Sequence, residues 1–246
     1  PGPRPLGPHW RLSRGSPAGC LGHTGGVTDP ATALPHPPTV LFLHGLGQLP
    51  TAWQEQVTAL PTGWRAHAPW VPGLKPTEQV DFDLDRAVGQ LATYLETQGV
   101  RRTHLVGLSL GAVVSLRLAA THPDLVDRLV LIAGQVSPPR LLMKAQRAML
   151  RVVSEAKLRK QGLTKARLAD ALGVMEALDL HADLARVQAP TLVVVGDRDR
   201  PNQPAAKVLA SRIRGARLVT LPGGHELNTE SPEALNDAVF GFLAQH

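Results

Sequence analysis

One stretch of nine residues restricts the possible folds of this chain more than any other, Thr103 to Gly111 with the sequence THLVGLSLG. It begins with β-prone residues, passes through Gly-x-Ser-x-Gly, and is followed by an almost uncharged helical pattern from Ala112 to Ala120. A serine on a sharp turn between a strand and a helix has a strained backbone, and the residues two before and two after it approach closely. Glycine at 107 and 111 removes the side chains that would collide there. The stretch therefore predicts a strand, a tight turn that exposes Ser109, and a buried helix.

Taken alone, the same motif also fits a glycine-rich turn with an incidental serine, so the surrounding pattern matters. Apolar runs typical of buried strands cover residues 39–43, 64–70, 104–106, 127–133, 191–195 and 217–221. Helical patterns lie between and after them, at residues 51–60, 81–98, 112–120, 203–213 and 232–243. This alternation predicts an α/β fold with a mostly parallel central sheet, right-handed crossovers and helices on both faces.

The alternation stops once, after the strand at 127–133. From Pro138 onwards the apolar spacing is helical, in one segment up to Gly162, a second one capped by Thr164, and a short third one at 178–187. We therefore predict a core formed by residues 39–134 and 188–246, interrupted by a small helical cap at residues 135–187.

Length and composition set the remaining bounds. A chain of 246 residues most simply forms one large domain. Residues 1–38 contain nine prolines and seven glycines, which predicts an extended or partly disordered segment with one or two edge strands, for example around residues 9–13. Cys20 is the only cysteine, so we expect no intrachain disulfide and a cytoplasmic protein. Neither a membrane span nor a metal or cofactor motif is expected from the pattern.

The net charge of +6 is unevenly distributed. Residues 140–167 contain nine Lys or Arg and one acid, Glu155, which leaves +8 in this segment and −2 elsewhere. Such a patch suits an anionic or CoA-linked substrate, a membrane surface or nucleic acid. Because no aromatic residue interleaves the charges, we do not expect nucleic-acid binding, and we favour a solvated face of amphipathic helices.

Polar residues follow several of the predicted strands, at the edge where parallel sheets bind ligands. These include Ser109, an Asp197/Asp199 pair and His225. A serine attacks a carbonyl at neutral pH only with a base, which histidine supplies while a carboxylate orients the histidine. From chemistry alone, either aspartate could orient His225. We interpret His44, after the first strand, as a structural residue that stiffens its loop.

The negative oxygen of a tetrahedral intermediate requires two N–H donors. The backbone of Leu110, directly after the serine, offers one. The turn after the strand at 39–43 offers the other, most simply from Leu46.

Four motifs together resemble the α/β-hydrolase family over residues 39–245. They are H-G-x-G at 44–47, G-x-S-x-G at 107–111, G-x-x-D at 196–199 and G-G-H at 223–225, in the family's order of Ser, Asp and His. The resemblance implies that Asp199 rather than Asp197 completes a Ser109–Asp199–His225 triad. It also implies that Leu46 and Leu110 donate to the oxyanion, and that residues 138–187 form the cap over the site.

On this basis we expect a serine hydrolase, without cofactor or metal, that cleaves an ester or related acyl bond through an acyl-enzyme. A thioesterase, a C–C bond hydrolase, an acyltransferase or a perhydrolase could use the same triad. A ligand-binding protein on this fold is the alternative of another class. The expected substrate is a small acyl compound, and an anionic one if the basic segment contributes to binding. We expect the protein to be a monomer or a homodimer. We expect the pocket wall to include Leu46, Leu74, Val136, Met143, Met149 and Leu227.

Overall fold

A computed structural model describes residues 37–78, 81–160 and 163–245. The described residues belong to one compact unit by their contacts. The prediction for residues 1–38 therefore lies outside the described residues, apart from its last two. Within the described part of the chain, no helix is both long and apolar enough to cross a membrane.

The centre of the molecule is a six-stranded sheet. Its strands are β1 (Thr39–Leu43), β2 (Arg65–His67), β3 (Thr103–Leu108), β4 (Val126–Ile132), β5 (Thr191–Gly196) and β6 (Arg217–Leu221). They run in the order β2-β1-β3-β4-β5-β6, and every neighbouring pair is parallel. This topology places the residues after each strand at one edge of the sheet, and it confirms the predicted fold class.

Alternate residues of each strand point to opposite faces of the sheet. Leu41 and Leu43 of β1 belong to one apolar cluster, whereas Val40 and Phe42 belong to the other. The first cluster lies against α2 (Leu84–Thr97), α3 (Leu110–Thr121) and α8 (Gln203–Arg212). The second lies against Trp53, just before α1 (Gln54–Thr58), and against α10 (Pro232–Leu243). Helices therefore cover both faces, as the apolar strands require.

Between β4 and β5 the described residues form helices and no strand. These helices are α4 (Arg140–Val152), α5 (Glu155–Lys160), α6 (Lys165–Glu176) and α7 (His181–Leu184). Thr164 caps α6 by accepting a hydrogen bond from the Arg167 N–H at 3.3 Å, as its position before the helix predicted. Met143 of α4 and Ala171 of α6 belong to the same apolar cluster as β1 and α3.

The differences from the predicted elements are local. The single helix predicted from residue 138 to 162 is broken, because α4 ends at Val152 with an extended residue at 153 before α5 begins. One short helix was not predicted, α9 (Leu227–Glu230), directly after the Gly-Gly-His motif. It follows the loop after β6, at the edge of the sheet where the parallel strands end.

Candidate active site

Ser109 stands between β3 and α3 on a strained backbone, with φ 54° and ψ −112°. This conformation is rare for a residue with a side chain and is typical of functional turns. A Cβ at Gly107 would overlap the backbone of Gly111, and a Cβ at Gly111 would overlap the carbonyl group of Leu43. The two glycines are therefore required by the packing of β1, β3 and α3, and this packing holds Ser109 in its unusual conformation.

His225 follows β6, and its imidazole meets the carboxylate of Asp199 from the loop after β5. The Nδ1 atom lies 2.9 Å from Asp199 Oδ2. Asp199 is buried, at 5% exposure. Since a carboxylate accepts, Nδ1–H donates to it, which leaves Nε2 free to accept a proton. The structure thus brings together the histidine and the aspartate that the family resemblance implied.

Asn202 adds a third polar side chain to this pair. Its Nδ2 lies 2.7 Å from Asp199 Oδ1 and 2.9 Å from Oδ2, and it is 3.1 Å from His225 Nδ1. Its Oδ1 accepts from the Gln135 side-chain amide. Because Asn202 and Gln135 are themselves buried, this chain of amides limits how far the Asp199 carboxylate can rotate.

Asp197, the other sequence candidate, has a different environment. Its Oδ1 accepts from the Gly223 N–H at 2.9 Å, two residues before His225. Glu230 accepts from the N–H groups of Gly224 and Glu226 at 2.7 and 3.0 Å, and these backbone donors lower the pKa of its carboxyl group. The two acids brace the loop that carries His225 from both sides.

The loop after β1 is fixed by His44. Its Nδ1–H donates to the Gly45 carbonyl at 3.0 Å, and its Nε2 accepts from the Val71 N–H at 3.1 Å. The ring also makes an edge-on contact with Trp70. Burial lowers the pKa of His44 from 6.5 to about 4, so the ring is neutral at pH 7. These bonds are the structural role that the sequence predicted for His44.

A second support of this loop was not predicted. The Gln48 side chain accepts from the Gly45 N–H at 3.2 Å and donates to Asn228 Oδ1 at 3.2 Å. Asn228 lies in α9 and is fully buried. It also donates to the Ala52 carbonyl at 3.0 Å. The residues after His225 and the loop that carries Leu46 are thereby held in one network.

Ser109 and His225 line a common cavity of about 540 Å³. Leu46 and Leu110, whose N–H groups we expect to bind the oxyanion, line it as well. The opposite wall comes from the helices between β4 and β5. Its side chains are mostly apolar and include Met143, Met149, Leu150, Leu158, Leu168, Leu172 and Met175.

Three of the expected pocket residues lie elsewhere. Leu74, Val136 and Leu227 are almost completely buried in the apolar clusters and do not line the cavity. Leu74 is turned into the core because its loop is held down by α6. Arg167 of that helix donates to the Gly73 and Lys75 carbonyls at 3.1 and 2.8 Å. Leu46, Met143 and Met149 do line the cavity.

The polar residues that the sequence analysis missed are Gln48, Gln135, Asn202 and Asn228. Asn202 follows Asp199 by three residues in a turn, and this spacing was the one available signal. The others meet their partners only through the fold: Gln48 and Asn228 are 180 residues apart. Among the described residues, no group of three or more His, Cys, Asp or Glu side chains is arranged to hold a metal ion.

Known proteins resemble this chain over most of its length. A protein of Pseudomonas savastanoi pv. phaseolicola, provisionally named carbamate hydrolase RutD, is 28% identical over 84% of this chain and 93% of its own. The pimeloyl-[acyl-carrier protein] methyl ester esterase of Neisseria meningitidis is 28% identical over 74% of this chain and 69% of its own. A hydrolase of Pseudomonas aeruginosa with a known crystal structure is 26% identical, with a TM-score of 0.75 over 86% of this chain and 92% of that one.

The model of the alpha/beta hydrolase family matches residues 40–238. This range includes all four motifs and, apart from Thr39, every residue of the six strands. The chain therefore belongs to the alpha/beta hydrolase family of enzymes, as its motifs predicted.

Proposed function

We propose that this protein is a serine hydrolase that cleaves an ester or a related acyl bond, with Ser109 as the nucleophile, His225 as the base and Asp199 as the orienting acid. One observation carries the proposal: a buried carboxylate holds Nδ1 of His225, and the histidine shares one cavity with a serine on a strained turn. A protein that only binds its ligand has no use for this combination.

The reaction follows from these roles. Nε2 of His225 takes the proton of Ser109 while the serine oxygen attacks the acyl carbon. The N–H groups of Leu46 and Leu110 bind the negative oxygen that forms, and His225 then gives its proton to the leaving group. A water molecule, deprotonated by His225, attacks the acyl-enzyme. Cleavage of the bond between the acyl group and the Ser109 oxygen releases the acid, and His225 returns the proton to Ser109.

The lining of the cavity favours an apolar acyl group. Among the residues whose side chains are described, no Lys or Arg lines it, and Glu226 is its one charged side chain. The described cations of the segment 140–167 therefore lie outside this lining, which gives no support for an anionic acyl group. The names of the relatives, a carbamate hydrolase and a methyl ester esterase, support acyl bonds with a small leaving group. We retain the sequence-based predictions that the protein is cytoplasmic and is a monomer or homodimer.

The test is labelling with a fluorophosphonate, combined with turnover of p-nitrophenyl esters of increasing chain length. The wild type should be labelled, whereas Ser109→Ala should lose the label and at least about 10⁴-fold in kcat. Ser115→Ala is the control, because Ser115 lies six residues further along α3, is fully buried and does not line the cavity. A folded wild type that neither labels nor turns over any ester would contradict the proposal.

A further inference from the structure

The helix α4 has an exposed apolar side that nothing in the described chain covers. Leu141, Met149 and Val152 are 79%, 68% and 83% exposed, and two alanines between them, Ala145 and Ala148, are exposed as well. At about 100° per residue, these five side chains form one continuous stripe along the helix. We call it the α4 stripe. Large apolar side chains grouped on one side of an exposed helix are typical of a docking surface.

Basic residues lie directly beside the α4 stripe. Arg140, Lys144, Arg147 and Arg151 follow each other at helical spacing, all exposed, in an arc of only about 60°. Arg147 is paired with Glu176 at 2.8 Å. Arg147, Arg151 and Lys165 also line a groove of about 330 Å³ between α4 and α6. One flank of the stripe is therefore strongly cationic.

The third side of α4 faces the candidate active site. Met143, Gln146, Met149 and Leu150 line the cavity that contains Ser109. Met149 belongs both to the α4 stripe and to the side that faces the cavity, since it lines the cavity and is still mostly exposed. The α4 stripe therefore reaches the mouth of the cavity.

This arrangement selects one kind of partner. Insertion into a lipid surface buries an apolar stripe, and anionic headgroups neutralise the cations at its flank. Nucleic acid would leave the leucine, methionine and valine without an apolar partner. A second copy of the chain, docked symmetrically through the stripe, would bring two rows of cations close together, which is unfavourable.

We propose that the α4 stripe docks on an anionic lipid surface, with Arg140, Lys144 and Arg151 at the headgroups. The mouth of the cavity then opens towards acyl compounds dissolved in that surface. This last step rests on the proposed hydrolase function, whereas the binding itself does not.

The experiment is co-sedimentation of the protein with vesicles of phosphatidylcholine alone and of an equimolar mixture with phosphatidylglycerol. Wild type should bind the anionic vesicles and lose binding at high salt. Each cation near such a surface strengthens binding about fivefold, so replacing Arg140, Lys144 and Arg151 by Gln should weaken it about 100-fold. Val152→Glu should weaken binding at least about tenfold, because the charge would enter the apolar layer.

Val57→Glu is the matched control, since Val57 is an exposed valine on the distant helix α1. It should bind like the wild type, and circular dichroism should give the same helix content for both variants. Turnover of a soluble ester should be unchanged in Val152→Glu, whereas turnover of an ester carried in anionic vesicles should fall. This difference separates a failure of docking from a failure of the proposed chemistry.

Three results would overturn the proposal. The first is equal binding to neutral and anionic vesicles or to neither, and the second is full binding by Val152→Glu. The third is a wild-type dimer in solution that Val152→Glu converts to a monomer, because a second copy would then occupy the stripe.

Discussion

The helices α3 and α4 both line the cavity, but they differ in how much of their surface is buried. Of the twelve residues of α3, ten are buried, and its one charged residue, Arg117, pairs with Asp183 of α7 at 3.3 Å. The helix α4 exposes most of its residues and is attached through a narrow strip around Met143. The position of Ser109 is thus determined by backbone packing that leaves no free volume, whereas α4 can change its outward side chains at little cost to the fold. We infer that chemistry resides on the α3 side of the cavity and that selectivity resides on the α4 side.

The largest expected effect tests whether the chemistry resides on the rigid side. Asp199→Asn should lower kcat about 10³- to 10⁴-fold with little change in the free energy of unfolding. An amide at this position can donate to Nδ1 of His225, which moves the ring proton to Nε2 and removes the base. Steady-state kinetics on a soluble ester measures the effect.

Asp197→Asn is the control for that substitution. The new side-chain oxygen can still accept from the Gly223 N–H, so kcat should stay within about threefold of the wild type. If Asp197→Asn lost activity and Asp199→Asn retained it, our choice of the orienting acid would be wrong.

Two glycine substitutions, one on each side of the cavity, should change the free energy of unfolding in opposite directions. Gly111→Ala in α3 should lower the free energy of unfolding by at least about 4 kcal/mol, because the new methyl group overlaps the Leu43 carbonyl. Gly173→Ala in α6, which packs against α4, should raise it by about 0.5 to 1 kcal/mol. There the nearest atom is Arg147 Nη2 at 3.7 Å, and alanine favours the helix. Urea unfolding measures both, and a loss of stability in Gly173→Ala would show that the α4–α6 side is as tightly packed as α3.

This contrast also explains how much could be predicted from the sequence. The parallel sheet followed from local patterns: β1 and β6 have the predicted bounds, and α10 does as well. The fold and the family are confirmed, while the roles of Ser109, Asp199 and His225 remain predictions that the geometry supports. Periodicity succeeds here because a strand buried on both faces must be apolar throughout.

The supports of the site could not be predicted in this way. Asn228 and Gln48 meet across 180 residues, and an isolated buried amide has no periodic pattern. Leu74, expected in the pocket wall, is buried in the core instead, and its loop is bound by Arg167 of α6, a contact between residues more than 90 positions apart. The exposed side of α4 was interpreted as an ordinary solvated face. The sequence gives the spacing of its apolar residues, but only packing decides which side meets the core.

A last expected effect is a pH dependence of stability that arises on the α3 side of the cavity and not on the α4 side. His44 supports the loop of Leu46, and residues 140–176 contain no histidine. Burial lowers the pKa of His44 from 6.5 to about 4, so between these values the unfolded chain binds the proton more readily than the folded one. The contribution of His44 to stability is therefore complete above pH 6.5 and declines by about 3 kcal/mol as the pH falls to about 4. Urea unfolding at several pH values should give a shallower decline for His44→Gln than for the wild type. Other groups contribute to the remaining slope, among them His67 and His104, whose pKa values burial also lowers, and Glu230, whose pKa backbone donors lower. Parallel curves for the two proteins would mean that His44 binds its proton as readily in the folded chain as in the unfolded one, which would contradict an Nε2 that accepts from the Val71 N–H.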